Sequence, residues 1–343
     1  MPHPRPTVRT LAKELGLSRS TVSNALRGLP GVNMDTRRRV RQAADARGYR
    51  AHPFAAEVMS QLRRSSQTKQ VGTLAVLEMD EPGRPPGAAI FNRLLLEGIE
   101  TRAREMGFGT DRLNFGGAEP LALKRLNQVL QWRGIHGLLL LPTWSEPDFR
   151  DLDWSQFTGI YLDYLIQQPP LHTVSSDHFR SLFGALEKAR AFGYRRPGFA
   201  VARRANERLN GRWTAAYLGY VHDHPEITLV PPLVEDEITA DNFVPWIREH
   251  NPDVVISHWI EAPRHMKAEG ADIPRTHGFI CMNVLPAPPE FSGLDLQPRF
   301  LGGRAAELVI SQLGHHDRGI PTVSANTFVP ARWIEGTTVA PRI

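Results

Sequence analysis

The chain has 343 residues, 41% of them hydrophobic and 22% charged, which fits a folded protein of two or three domains and excludes disorder as its main state. No window approaches the roughly 18 uninterrupted apolar residues of a membrane-spanning helix, and the polar start at Met1–Arg5 lacks the apolar core of a secretory signal, so a cytoplasmic location without a membrane partner is expected. Cys281 is the single cysteine, which excludes an internal disulfide, a CxxC redox pair and a cysteine-rich zinc site.

The formal net charge of +5 conceals an asymmetry. Residues 1–70 hold 14 Lys and Arg against 4 Asp and Glu, a net of +10, while the remaining 273 residues hold 27 against 32, a net of −5. A basic head on a mildly acidic body favours a polyanion as the partner of the head alone.

In chain order, Val8, Leu11, Ala12 and Leu15 fall on one face of a first helix. Gly16 breaks it and Ser18 can cap the next, whose buried stripe is Val22, Ala25 and Leu26. Gly28 and Pro30-Gly31 end that helix, Asn33 is suited to cap a third, and Met34–Arg47 turns Val40, Ala43 and Ala44 inward. Three short helices in this pattern predict an all-α helix-turn-helix domain over 1–51. In such a domain the second helix enters the DNA major groove, with residues near its N-terminus at base edges.

The run TLAKELGLSRSTVSNALRGLPGVNMDTRRRVRQAADARGY resembles the N-terminal domain of the LacI/GalR family of bacterial transcription regulators. By position the resemblance implies base reading by Arg19, Ser20 and Asn24, and phosphate contacts by Ser18, Thr21, Ser23 and Thr36. The chemistry agrees, since Arg can grip guanine and Asn adenine in bidentate fashion. Residues 52–70 resemble the family's hinge helix and linker. Pro53 can open a helix there, and Ala55, Val58, Met59 and Leu62 lie on its apolar stripe. The family drives an apolar wedge from this helix into the minor groove; Val58, Met59 and Leu62 are the candidates here.

From Val71 short apolar runs alternate with helical stretches. Strands are expected at 71–77, 108–115, 137–141, 159–163, 197–202, 254–257 and 278–282, and helices at 91–106, 121–132, 178–192, 210–223 and 263–269. Such alternation predicts parallel sheets with right-handed crossovers, arranged as two α/β lobes with a cleft at the strands' carboxyl ends. Looser resemblance to the same family, through LLLEGIETRAREMGF, RGIHGLLLLP, FGYRRPGFAV and ERLNGRW, implies the periplasmic-binding-protein type I fold over 71–343. Lobe one is expected at about 71–171 and 297–320, and lobe two at about 172–296 and 321–339.

The resemblance further implies an effector site. Asp163, Arg208 and Gln297 match its acidic, arginine and glutamine positions, and Asn283 stands where the family usually has an aspartate. Ser257, His258 and Trp259 replace its usual Asn-Asp pair. Phe91, Trp144 and Trp259 complete the expected set. Trp144, Tyr161, Tyr164 and Trp259 all follow predicted strands, where an aromatic can fill the core or stack on a sugar. The neutral Asn283 tilts the expectation towards an acidic or phosphorylated sugar.

Enzyme signatures are weak. His222-Asp223-His224 and His315-His316-Asp317 lack metal-ligand spacing. GFGTDRLNFGG lacks the GxGxxG continuation, and no GxSxG or GxxxxGK[ST] occurs. The expectation is a non-enzymatic, cofactor-free and metal-free homodimeric regulator that binds double-stranded operator DNA, represses, and responds to a small sugar-like effector. The alternatives are an enzyme or an exported sugar-binding protein of similar α/β fold with a basic appendage.

Overall fold

The computed structural model describes residues 8–18, 21–22, 25–26, 33–47, 71–81, 83–116, 123–162 and 168–342. The chain divides into two compact units, Met1–Lys69 and Gln70–Ile343. In the first, α1 (Val8–Leu15) and α2 (Met34–Ala46) flank helical residues at Thr21, Val22, Ala25 and Leu26. Leu11, Ala12, Val22, Ala25, Val40 and Ala44 form the core, with Leu15, Leu17, Leu26 and Ala43 packed against it.

Local chemistry sets the helix ends. Gly16 takes φ +67°, the left-handed turn a helix terminus favours, and the Leu17 amide bonds back to the Ala12 carbonyl at 3.0 Å. Ser18 Oγ accepts the Thr21 amide at 3.0 Å, and Asn33 Oδ1 accepts the Thr36 amide at 2.8 Å; each satisfies a donor that the helix start leaves open. Arg47 pairs with Glu14 at 3.1 Å and ties α2 to α1.

The second unit begins with β1 (Gly72–Asp80), α3 (Pro86–Glu105), β2 (Phe108–Gly116), α4 (Leu123–Trp132), β3 (Gly137–Leu140), β4 (Thr158–Tyr161) and β5 (His172–Ser176). It continues with α5 (His178–Ala191), β6 (Pro197–Ala202), α6 (Arg203–Glu207), α7 (Arg212–Asp223), β7 (Leu233–Glu235), α8 (Ala240–His250), β8 (Val254–Ser257), α9 (Ala262–Ala268), β9 (Gly278–Cys281) and β10 (Gly293–Asp295). Helix α10 (Pro298–His315), β11 (Asn326–Val329) and β12 (Arg332–Ile334) close it.

Among the described residues the strands make two six-stranded sheets, in the orders β11-β5-β4-β3-β1-β2 and β12-β10-β9-β8-β6-β7. All pairings are parallel except β10 with β12. Each sheet carries apolar clusters on both faces, as parallel sheets require.

Two lobe boundaries differ from expectation. Residues 172–176 and 326–329, placed in lobe two from sequence, are β5 and β11 of the first sheet, where they pair with each other. The reason is hydrogen bonding over long sequence separation, which the short, mixed segments HTVSS and NTFV do not advertise. The chain therefore crosses between lobes near Asp177, Gln297 and Pro330. The crossings are tied together: the Asp177 amide bonds to the Val329 carbonyl at 2.8 Å, the Ala331 amide to Ser181 Oγ at 2.8 Å, and Gln297 Nε2 to the Pro330 carbonyl at 2.9 Å.

Helix α3 starts five residues earlier than predicted, with proline in its first turn, where the missing amide costs nothing. Among the described residues no helix is long and apolar enough to cross a membrane, and no group of three or more His, Cys, Asp or Glu could hold a metal ion.

Helices α3 and α10 meet backbone to backbone. A methyl group on Gly98 would collide with the Arg299 carbonyl, and one on Gly302 with the Leu95 carbonyl. Gly302→Ala is therefore expected to destabilise the protein by about 1–3 kcal/mol through overpacking, read as a lower urea midpoint. Gly303→Ala, whose nearest neighbour would lie 3.7 Å away, serves as control and should be neutral or mildly stabilising.

Candidate functional site: the cleft between the lobes

A cleft of about 830 Å³ opens where the carboxyl ends of the two sheets face each other, the size and place expected of a small-molecule site in α/β proteins. Lobe one contributes the start of α3, the Pro142–Trp144 segment after β3, and Ser175 and Ser176 at the end of β5. Lobe two contributes α6, the start of α7, His258 and Trp259 after β8, and Asn283 after β9.

One wall is fixed by Glu81. Its carboxylate accepts the Trp144 and Ser145 amides, each at 2.6 Å, the Ser145 hydroxyl at 2.7 Å, and Arg84 at 2.9 Å. Burial alone would raise this carboxyl, but hydrogen bonds from the Ser145 hydroxyl, the Trp144 amide, Arg84 and the Ser145 amide together hold it below the ordinary value. Asn92, buried on α3, donates to the Pro142 carbonyl at 2.9 Å and secures the same loop.

Lobe two reaches this wall through arginines. Arg208 donates to the Thr143 carbonyl at 2.8 Å and stacks over the Trp144 ring at 4.9 Å, a cation–π contact. Arg204 donates to the Trp144 carbonyl at 2.7 Å. Phe91 packs against core clusters of both lobes.

The floor in lobe two is aromatic. His178, the first residue of α5, meets Trp213 edge-on at 4.6 Å, and Trp213 meets His258 at 5.9 Å. Burial holds the His178 imidazole down to about 3, assisted by His258, Arg208 and Arg212; burial likewise holds His258 down to about 4. Both rings are neutral at pH 7. Trp213 Nε1, His258 Nδ1, Thr143 Oγ1 and Ser175 Oγ are sealed from solvent with no hydrogen-bond partner among the described residues. Leaving a buried polar atom unmatched costs about 1–3 kcal/mol, and four at one cleft are groups a ligand would satisfy.

Of the residues singled out from sequence, Phe91, Trp144, Arg208, Trp259 and Asn283 line the cleft. Trp259 is also stacked on His265 at 5.0 Å, and the Asn283 Oδ1 accepts the Leu285 amide at 3.2 Å. Gln297 does not line the cleft; it caps α10 in a left-handed conformation and braces the crossings. Asp163 and Tyr164 lie outside the described residues, and Tyr161 is buried in the core of lobe one.

In the head, Ser18, Thr21 and Thr36 stand at the capped helix starts. Arg19, Ser20, Ser23 and Asn24, and the hinge positions Ala55, Val58, Met59 and Leu62, lie outside the described residues. Thr143, Ser175, His178 and Trp213 joined the site only through the structure. His258 drew notice in the sequence only as part of an unusual replacement, whereas its neighbour Trp259 was also expected at the effector.

No family model matches the chain. The HTH-type transcriptional regulator MalR of Staphylococcus xylosus is 20% identical over 332 residues, 91% of this chain and 92% of that protein. The transcriptional regulator CelR–cellobiose complex is 18% identical with a TM-score of 0.55, covering 97% of this chain and 100% of that one. The Lac repressor dimer bound to operator and the anti-inducer ONPF is 15% identical with a TM-score of 0.56, covering 98% and 100%. The chain is thus similar along nearly its whole length to LacI-type regulators. It shares their fold of an N-terminal helix-turn-helix domain and a two-lobed, parallel-sheet body of periplasmic-binding-protein type I.

The neutral imidazoles make stability pH-dependent. An unfolded His titrates near 6.5, whereas His178 and His258 do so at about 3 and 4 in the fold. Between these values the unfolded chain binds more protons, so stability is full above pH 7 and falls as pH drops from 6.5 towards 4. Replacing His258 with Asn should flatten this slope, removing on the order of 2–3 kcal/mol of acid sensitivity by pH 4, as read from urea unfolding of the wild type and the variant across that range.

Proposed function

We propose that this protein is a cytoplasmic transcription regulator of LacI/GalR type that binds a near-palindromic operator as a homodimer and represses, with a small carbohydrate-like effector in the cleft between its lobes. The observation that carries this reading is the joining, in one chain, of a basic helix-turn-helix head to an acidic two-lobed body whose cleft presents unmatched polar atoms. The likeness to a repressor bound to operator and to a regulator bound to cellobiose supports both halves.

In this reading Arg19, Ser20 and Asn24 face base edges, while Ser18, Thr21, Ser23 and Thr36 meet phosphates. The hinge residues Ala55, Val58, Met59 and Leu62 pair across the dimer at the minor groove. The effector changes the closure of the lobes, and that motion orders or releases the hinge helices, a two-state coupling between distant sites. Phe91, Trp144, Asp163, Arg208, Trp259, Asn283 and Gln297 are the proposed effector residues, Gln297 acting through the crossings. No catalytic step is assigned to the cleft.

Selection of DNA sites by the full-length protein should return an inverted repeat with half-sites in successive major grooves. Arg19→Ala should then weaken the selected site by about 1–3 kcal/mol and spare random DNA; equal loss on both would reduce Arg19 to a phosphate contact. Binding should also weaken by about 0.9 log units per log unit of salt for each phosphate neutralised.

The effector is found by screening sugars for thermal stabilisation. Arg208→Ala should keep operator affinity and lose effector affinity by roughly tenfold to a hundredfold, or about 1.5–3 kcal/mol. Calorimetry showing unchanged effector affinity would leave Arg208 as a brace between the lobes.

A further inference from the structure

Both walls of the cleft carry buried polar atoms with no partner among the described residues. Trp213 Nε1 and His258 Nδ1 lie on the floor in lobe two, and Thr143 Oγ1 and Ser175 Oγ on the wall in lobe one. All four belong to neutral side chains, because burial keeps the His258 ring uncharged at pH 7. Several charged groups of the cleft are, by contrast, engaged within the protein. Arg84 pairs with Glu81 and Asp236 with Arg203, while Arg204 and Arg208 donate to the Trp144 and Thr143 carbonyls.

The chemistry of these atoms narrows what can satisfy them. The Trp213 indole N–H only donates, so a ligand beside it must bring an acceptor. The His258 ring meets Trp213 edge-on, with centroids 5.9 Å apart. An uncharged imidazole holds one proton on two nitrogens, so Nδ1 either accepts or donates. A hydroxyl matches both cases: its oxygen accepts from the indole, and it either gives its own proton to a bare Nδ1 or accepts a second bond from Nδ1–H. A carbonyl or carboxylate oxygen matches only the second case. On the wall in lobe one, the Thr143 and Ser175 side chains each offer one proton and two lone pairs, to which ligand hydroxyls are again complementary. Strand β4 stands between β3 and β5 in the sheet, so Thr143 and Ser175 call for separate partners. The rings of Phe91, Trp144 and Trp259 line the cleft as well and suit the C–H faces of a sugar ring.

We infer that the effector is a neutral sugar read by hydroxyls on two opposite edges, one hydroxyl seated on the floor between Trp213 Nε1 and His258 Nδ1 and others meeting Thr143 and Ser175 across the cleft. This rests on the reading of the cleft as an effector site. Trp213 and His258 are then specificity-determining residues, because they demand a hydroxyl at one position of the ring. A sugar that lacks it leaves a buried donor and a buried imidazole nitrogen unmatched, and a site built to bond a hydroxyl rejects the analogue without it far more strongly than it rejects a change of shape. A ligand with polar groups on one edge only would satisfy one wall and leave the other dry.

The test is calorimetry on the full-length protein with glucose, galactose, mannose, xylose, cellobiose and maltose, with glucuronate and galacturonate, and with the monodeoxy derivatives of whichever neutral sugar binds most tightly. The expected result is a neutral sugar bound at least as tightly as either uronate, with one monodeoxy derivative bound about tenfold to a hundredfold more weakly than its parent. Trp213→Phe and His258→Leu, each verified as folded by its melting transition, should weaken the parent sugar by a similar factor. Neither should change the affinity of that monodeoxy derivative, which has already lost the hydroxyl they read. Thr143→Val, close in shape, should weaken the parent and be silent towards a different monodeoxy derivative. If Trp213→Phe does not fold, His258→Leu and Thr143→Val decide the matter. Variants that weaken the parent and every monodeoxy derivative by the same factor act through structure alone, and that result would overturn the inference and leave the sugar cleft standing. A uronate bound tenfold more tightly than every neutral sugar would do the same. Binding of none of these compounds would overturn the cleft reading and the inference together.

Discussion

The carboxylate of Glu81 accepts hydrogen bonds from two successive amides, a hydroxyl and a guanidinium, and in doing so it sets the shape of the loop that carries Thr143 and Trp144. A loop whose amides are spent on one anion cannot relax independently of it. The Trp144 ring is therefore presented to lobe two at a fixed height, and Arg208 and Arg204 anchor to the two carbonyls just before and within that turn. A charge buried with this many donors is stable only as a complete set, because removing one partner leaves the rest unmatched in a poor solvent.

That constraint matters because each lobe is otherwise self-sufficient. Each has its own sheet with apolar clusters on both faces, so the relation between lobes depends on the three crossings, on Phe91 and on the arginine contacts at the cleft. The crossings are short and bonded to one another through Asp177, Ser181, Gln297 and Ala331. Such an arrangement joins the two sheets through three short segments and leaves each sheet's own hydrogen bonding intact. The glycine-mediated contact holds α3 and α10 together at Leu95–Ile99 of α3, behind the part of the helix that lines the cleft.

Much of the head was legible in the sequence, because its determinants are local. Ser18 and Asn33 cap helices three residues ahead of the amides they bind, Gly16 supplies a left-handed turn, and the stripe of Leu11, Ala12, Val22, Ala25, Val40 and Ala44 is a matter of helical spacing. The strands at 72–80, 137–140, 197–202, 254–257 and 278–281 were visible for a similar reason: buried parallel strands are short apolar runs. Phe91, Trp144, Arg208, Trp259 and Asn283 could be named in advance because resemblance and strand ends mark them in the linear order.

What only the tertiary structure decided depends on partners far apart in the chain. HTVSS and NTFV are too short and too mixed to give a clear strand signal, and their place in lobe one follows from the pairing of β5 with β4 and of β11 with β5 across 153 residues. Gln297, expected at the effector, spends its side chain on the Pro330 carbonyl because a left-handed start to α10 turns it towards the crossing. The floor formed by Trp213, His178 and His258 comes from two helix starts and one strand end that meet only when lobe two folds. Sequence determines which atoms can donate or accept; whether they are buried, dry and unmatched is set by what surrounds them, and that is a property of the packed fold.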